Sequence, residues 1–444
     1  MASIGIDFGT SNCTAFLSHA GEITPIPLDE GRLAMPSVVF TARREVALRQ
    51  VEPLRGNSPQ GASTKSDRDW SLFSMMADGN AIIFGNPALR AYFEDPLGGV
   101  LVRSPKSFLG SDIHADHLAR FEEIVTRMLS HIKAMAEAVH GGAVTRAVIG
   151  RPVRYHGTRG DLGNSQALEV MARAAGQAGF DEFCFELEPV AAAYEYETAI
   201  SREQKLLVVD VGGGTTDCVV MRVNPAHAGK ADRLSDILGV SGDRIGGNDF
   251  DEALAWASVM PLFGKNTVTQ DGRPQPHSLV HDAMSIRNLP AQIRFARAAE
   301  AIEECMQQSA TPEKWARLLK LNQQHLQYRV VHSVERAKMD LTVAPQGALD
   351  LSYVEAGLSA IVERDGLAEA TERLVNKVRS LAREAIQASQ TRPDVVFLTG
   401  GMAQSPLIKE AVAGLIDATI PLRSGDMLGS VGRGLGLSAG RRFG

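Results

Sequence analysis

Apolar and turn residues alternate over roughly the first forty positions in the manner of a β-meander, and Ile4 to Phe8, Thr14 to Ser18, Ile23 to Leu28 and Ser37 to Thr41 read as strands. Residues 52 to 69 are polar and rich in Gly, Pro, Ser and Asp, which predicts an exposed loop. From His117 to His140 the pattern changes to helical spacing. Leu118, Phe121, Ile124, Val125, Met128, Leu129, Ile132 and Met135 form a face that would cover a sheet. Val144 to Gly150 reads as a strand, and residues 165 to 179 as an Ala-rich helix ending near Gly179. A further helix is expected to begin near Asp249, capped by the aspartates of Asn248-Asp249-Phe250-Asp251. Residues 264 to 290 have loop composition, helical periodicity resumes over Ala291 to Gln308 and Pro312 to Asp340, and Val395 to Leu398 forms a last strand. Strand and helix groups thus repeat in two halves, the pattern of an α/β protein with a ligand cleft between them.

At 444 residues the chain suits two or three domains or subdomains. Its 44% hydrophobic and 22% charged content is that of a globular protein. A formal charge of −6 argues against general nucleic-acid binding, which needs basic surface. No apolar run reaches membrane-spanning length and no charged leader with an apolar signal region opens the chain, so a cytoplasmic protein without a membrane partner is expected. Cys13, Cys184, Cys218 and Cys305 form no C-x-x-C pair, which argues against a disulfide framework or zinc site. Cys13 and Cys218 fall on predicted strands and read as small buried apolar residues. Asp112, His114, Asp116 and His117 are a mixed group in a loop, weak as a metal signal.

Two segments share one design: an apolar strand, an aspartate, then a tight glycine and threonine turn. They are Ile4-Gly5-Ile6-Asp7-Phe8-Gly9-Thr10-Ser11-Asn12 and Leu207-Val208-Val209-Asp210-Val211-Gly212-Gly213-Gly214-Thr215-Thr216-Asp217. A phosphate chain needs backbone N–H groups at close range, which side-chain-poor turns permit, and Mg²⁺ needs hard carboxylate oxygens. Either segment alone could be an ordinary hairpin. The pair reads as two halves of a nucleotide clamp.

With these turns, Lys106-Ser107-Phe108-Leu109-Gly110, Glu188-Pro189-Val190-Ala191-Ala192-Ala193, Gly246-Gly247-Asn248-Asp249-Phe250-Asp251, Glu335-Arg336-Ala337-Lys338 and Thr399-Gly400-Gly401 follow in order. The set resembles the nucleotide-binding domain of the heat-shock protein 70 family, within the actin-like ATPase superfamily, and most of all the YegD-type group of DnaK-like proteins. The resemblance implies an α/β actin-like ATPase fold of two similar ribonuclease-H-like lobes, residues 1–200 and 201–444, each with a peripheral subdomain. It implies Mg²⁺ and ATP or ADP as cofactors and slow ATP hydrolysis by a chaperone or molecular switch.

Carried over by position, Gly9, Thr10, Ser11 and Asn12 would form the first phosphate turn, and Gly212, Gly213, Gly214 and Thr215 the second. Asp7 and Asp210 would hold the water shell of Mg²⁺. Lys106 and Glu188 would orient the attacking water and the phosphoryl group, with Thr215 and Asp217 near the γ-phosphate. Gly246 and Gly247 would bring backbone to the nucleotide. Glu335, Lys338, Gly400 and Gly401 would form the adenosine pocket with Met339, Thr342, Met402, Gln404 and Asp426. By residue type alone, Lys106 reads as a solvated lysine, Glu188 as a helix N-terminal carboxylate, and Glu335 with Lys338 as a surface i,i+3 pair.

Two departures from the family pattern stand out. Met339 and Gln404 occupy positions where arginines would sandwich adenine, which implies weaker base stacking and wider tolerance of GTP. Only 43 residues follow Gly401, so no peptide-binding module is expected in this chain, whereas the stretch at about 252–333 is longer than the family needs and is either a surface for a protein client or co-factor or a tolerated surface insertion. A small-molecule kinase, an actin-like filament and a nucleotide-sensing scaffold share the same clamp and stand as alternatives.

Overall fold

Two apolar runs, one near each end of the motif series, form strands buried on both faces, as central strands with parallel neighbours must be. In the computed structural model, which describes residues 1–42, 81–155, 159–426 and 429–444, the first half runs through β1 (Ser3–Phe8), β2 (Asn12–His19), β3 (Glu22–Pro25), β4 (Met35–Pro36), β5 (Val38–Ala42), β6 (Ala81–Phe84), β7 (Gly99–Arg103), β8 (Arg146–Arg151) and β9 (Glu182–Leu187). One sheet has the order β3-β2-β1-β8-β9, with β4 beside β2. The second half runs through β10 (Gln204–Val211), β11 (Thr216–Val223), β12 (Ile237–Asp243), β13 (Gln346–Asp350), β14 (Ser359–Glu363), β15 (Val395–Thr399) and β16 (Leu422–Ser424). Its main sheet repeats the design in the order β12-β11-β10-β15-β16. In each sheet the central strand is antiparallel to the next strand in sequence and parallel to a later one. This is the two-lobed actin-like ATPase fold.

Two helices, Glu188–Glu197 and Ser430–Phe443, lie between the sheets and share one apolar core with both: Val148 of β8, Val208 of β10, Val219 of β11 and Phe397 of β15 pack on Val190, Ala193, Val431 and Leu435. The helices touch backbone to backbone, since a Cβ on Gly434 would stand 1.8 Å from the Ala191 carbonyl oxygen. A Cβ on Gly5 of β1 would stand 2.1 Å from Gly436 N. Helix Ser430–Phe443 therefore seats a segment from the end of the chain directly on the first sheet.

Above the cleft, a three-stranded sheet, β6-β5-β7, and helix Gly85–Glu94 meet the helices of the second half. Phe40, Tyr92 and Leu101 belong to the same core as Phe263, Trp315, Leu326 and Val330. The long 252–333 region is thus packed structure. Trp315 is fully buried, and its indole N–H donates to Thr267 Oγ1 at 3.0 Å and Gln275 Oε1 at 2.8 Å. Among the described residues no helix is long and apolar enough to cross a membrane.

Several boundaries differ from the expected ones. The Ala291–Gln308 periodicity resolves into Leu289–Ala296 and Ala299–Gln308, and the Pro312–Asp340 stretch into Pro312–Gln323 and Gln327–Asp340. The second break turns at His325, whose φ of 52 ends a helix without glycine or proline. Residues 264–290 contain helix His277–Met284, whose Val280 and Ala283 face the shared core. The strand expected over Ile23 to Leu28 ends at Pro25, and β16 follows the strand taken as the last. The helix expected from 165 starts at Gly160. Helix Gly247–Leu254 is capped at Gly246, whose N–H donates to Asp249 Oδ2 at 2.7 Å, while Asp251 is spent on Lys338. Helix Arg364–Ser389 was not foreseen. The loop expected at 52–69 lies outside the described residues.

If the helix crossing fixes the lobes, Gly434→Ala should cost about 1–3 kcal/mol by overpacking. Gly176→Ala, in exposed helix with open space around it, should gain about 0.5–1 kcal/mol. Urea unfolding of both variants checks this, and a harmless Gly434→Ala would show that the crossing yields easily.

Candidate functional site

The first turn leaves β1 after Asp7 and re-enters the sheet at Asn12. Ser37 holds it in place: its N–H donates to Ser11 O at 2.8 Å and its hydroxyl to Gly9 O at 2.6 Å. The Ser37 carbonyl accepts from Ser104 N at 2.8 Å. Ser104 sits in the left-handed region, with φ 54, and launches the short turn Pro105–Phe108 that carries Lys106. Ser37 thus ties the first turn to the lysine, a link no local sequence pattern signals.

The second turn closes with Gly212 N donating to Thr215 O at 2.9 Å. Its Gly212 and Gly213 carbonyls accept from Gly247 N and Asn248 N at 2.9 and 2.8 Å, so the start of helix Gly247–Leu254 braces it. The two turns touch across the cleft. A Cβ on Gly213 would come within 1.9 Å of Ser11 Oγ, and one on Gly214 within 2.8 Å of Thr10 Oγ1. Glycine suits both positions because the Ser11 and Thr10 side chains of the first turn fill the space that a Cβ would need.

At the floor, Lys106 is not the solvated lysine its residue type suggests: it is 4% exposed and its Nζ lies 2.5 Å from Glu188 Oε1. Glu188 opens helix Glu188–Glu197, so the helix N-terminus also favours its charge. Burial disfavours the Lys106 cation, but Glu188, Tyr155 and Asp7 outweigh it and hold the ammonium protonated well above the ordinary lysine value. The carboxylates are in the opposite state. Burial, then repulsion from Glu188, pushes Asp7 and Asp210 well above the usual carboxylate range and Asp217 up to about 7. Asp210 faces Asp217 in register across β10 and β11. Asp217 Oδ1 accepts from Val153 N at 2.6 Å, while its buried Oδ2 has no hydrogen-bond partner. Four carboxylates share one lysine.

Toward the other end, Glu335 and Lys338 do not pair with each other. Glu335 takes Arg103 of β7 across the cleft at 2.8 Å, which holds its carboxyl below the usual range despite burial. Lys338 bonds Asp251 Oδ1 and Gly247 O, each at 2.9 Å. Gly400, with φ 84, lets the chain turn where a Cβ would stand 2.4 Å from Asp210 Oδ1. Together these segments enclose a cleft of about 550 Å³.

Asp7, Gly9, Thr10, Ser11, Asn12, Lys106, Glu188, Asp210, Gly212, Gly213, Thr215, Gly247, Glu335, Lys338, Met339, Thr342, Gly400, Gly401, Met402 and Gln404 all line the cleft. Gly214 stands behind it against the Thr10 side chain and Gly246 against the backbone of Gly212 to Gly214, and Asp217 is buried beneath it. Asp426 is a correction: it is exposed past the end of β16, outside the lining. Sequence reasoning missed Thr14, Asn248, Asp251, Val343, Lys409 and Val431 as lining residues.

Among the described residues no three His, Cys, Asp or Glu side chains converge to grip a metal ion directly. Excess buried carboxylate and the orphaned Asp217 Oδ2 nonetheless fit a hydrated divalent cation, which Asp7 and Asp210 would hold through its waters. The family model for Hsp70 protein matches residues 108–274, a span that holds Glu188, the second turn, Asp217 and Gly246 to Asp251.

Between its unfolded value and about 7, Asp217 binds more protons folded than unfolded. Stability must therefore rise as pH falls through 7 and be lost as pH rises. Without metal or nucleotide, the wild type should gain about 1 kcal/mol over Asp217→Asn between pH 8 and pH 6. Denaturant titrations at the two pH values measure it, and parallel curves would mean that Asp217 titrates normally.

Proposed function

From the premise that this chain carries an Hsp70-type nucleotide-binding domain on an actin-like ATPase fold, we propose that it is a Mg²⁺-dependent ATP-binding switch that hydrolyses ATP slowly and couples the nucleotide to closure of two lobes, 1–200 and 201–444. The observation that carries this reading is the contact of two aspartate-glycine turns, one from each half, above the buried Lys106–Glu188 pair. Members of the family bind ATP and ADP with Mg²⁺. The 252–333 region is the surface we assign to a protein client or co-factor.

In this reading the backbone of Gly9 to Asn12 and of Gly212 to Thr215 cradles the phosphates. When bound, Mg²⁺ neutralises charge on the β- and γ-phosphate oxygens. Lys106 has three donors; Glu188 accepts one, which leaves two for a phosphoryl oxygen and the attacking water. Glu188 fixes the lysine, and Thr215 and Asp217 serve the γ-phosphate end. Phosphoryl transfer asks mainly for such positioning and charge neutralisation. Glu335, Lys338 and the backbone at Gly400 and Gly401 take the adenosine.

Asp7→Asn and Asp210→Asn should each lower kcat at least about 100-fold and flatten the Mg²⁺ dependence of ATP binding. Their melting temperatures should not fall, because each replaces a carboxyl whose charged form burial already disfavours. Calorimetric titration with and without Mg²⁺, beside single-turnover hydrolysis, tests both claims; wild-type turnover in either variant sinks the assignment.

Lys106→Ala and Glu188→Gln should keep ATP Kd within about threefold while kcat drops about 100-fold or more, the signature of a lost transition-state interaction. A raised Kd with unchanged kcat would make them binding residues. Binding without any hydrolysis by the wild type would make the protein a nucleotide-sensing scaffold.

A further inference from the structure

Lys409 was in no expected constellation, yet it lines the cleft beside Gln404. Gln404 sits in the turn before helix Pro406–Ala413, and Lys409 is one turn into that helix, its N–H bonded to Ser405 O at 3.0 Å. Lys409 Nζ donates to Gln404 Oε1 at 2.7 Å. An ammonium only donates, so the amide must turn its oxygen to the lysine and its NH₂ away. Among the described residues no carboxylate pairs with Lys409, and its charge is shared only with the amide plane of Gln404. Met339, 59% exposed although apolar, lines the same end of the cleft with Thr342 and Gly401.

An arginine that stacks on a base supplies two things, a planar face and a positive charge. Here the plane belongs to Gln404 and the charge to Lys409. Resting on the nucleotide reading above, we infer that Gln404 and Lys409 act as one composite stacking cation for a purine base, with the Met339 thioether as the apolar contact, and that this pair sets base selectivity. Stacking reads the size of the π-face and not the ring substituents. The site therefore accepts adenine and guanine alike and disfavours pyrimidines.

Calorimetric titration of the full chain tests this. The wild type should bind ATP and GTP within about threefold of each other and CTP at least about tenfold more weakly. Lys409→Met should weaken both ATP and adenosine about three- to tenfold and leave inorganic tripolyphosphate unchanged, because the lost cation serves the base. Gln404→Arg alone sets a guanidinium beside the ammonium and should not tighten ATP. The double variant Gln404→Arg with Lys409→Met should return ATP affinity to the wild-type value. Lys409→Gln replaces the single variant if Lys409→Met melts early. The inference is overturned if Lys409→Met binds ATP normally, if tripolyphosphate weakens in step with ATP, or if the double variant shows no rescue. A wild type that binds no nucleotide defeats the parent reading and this one together; normal wild-type binding with an indifferent Lys409 defeats this one alone.

Discussion

The contact of Gly434 with the Ala191 carbonyl, where two helices cross with no side chain between them, is the constraint on which the rest of the structure depends. One of these helices begins at Glu188, and the other lies on β1, the strand that ends in Asp7 and the first turn. Any side chain at the crossing would spread the sheets. The second turn would then leave Ser11 and Thr10, and Glu188 would leave Lys106. The small residues at the crossing turn two independent sheets into one site.

Convergence carries an electrostatic cost. Bringing Asp7, Asp210, Asp217 and Glu188 into one desolvated floor with a single lysine raises three of the four above their usual range. A buried floor with more carboxylate than lysine leaves negative charge uncompensated, and in the nucleotide reading we propose a hydrated dication would supply what the protein leaves out. Lys106 is positioned by the same logic. Its charge is matched to Glu188, so its geometry is set by the protein alone.

The far end of the cleft works differently. Arg103 with Glu335 and Lys338 with Asp251 are matched buried pairs, and the first of them joins elements from the two halves. Matched pairs of this kind fix walls and contribute no net charge, so Glu335 and Lys338 could serve a ligand only through hydrogen bonds. Among the described residues Lys409 at this end has no carboxylate partner, and it is the group we infer to serve the base.

Local chemistry made much of this legible in the sequence. The apolar runs of β1 and β10, the aspartates near their ends and the glycine turns are each defined by residues within ten positions of one another, and the structure places them as read. The amphipathic helix Ala115–His140 followed from its spacing for the same reason. The helix breaks at Arg297–Ala298 and His325 were hidden, because neither carries a glycine or proline and tertiary packing, not propensity, ends those helices. Nor could spacing show that Lys106 meets Glu188 across 82 residues, or that Glu335 takes Arg103 across 232 instead of Lys338 across three. Residue type and periodicity settle what a strand, turn or helix can be; which side chains share a charge is decided by how closely two backbones can approach, and that distance exists only once the lobes are packed.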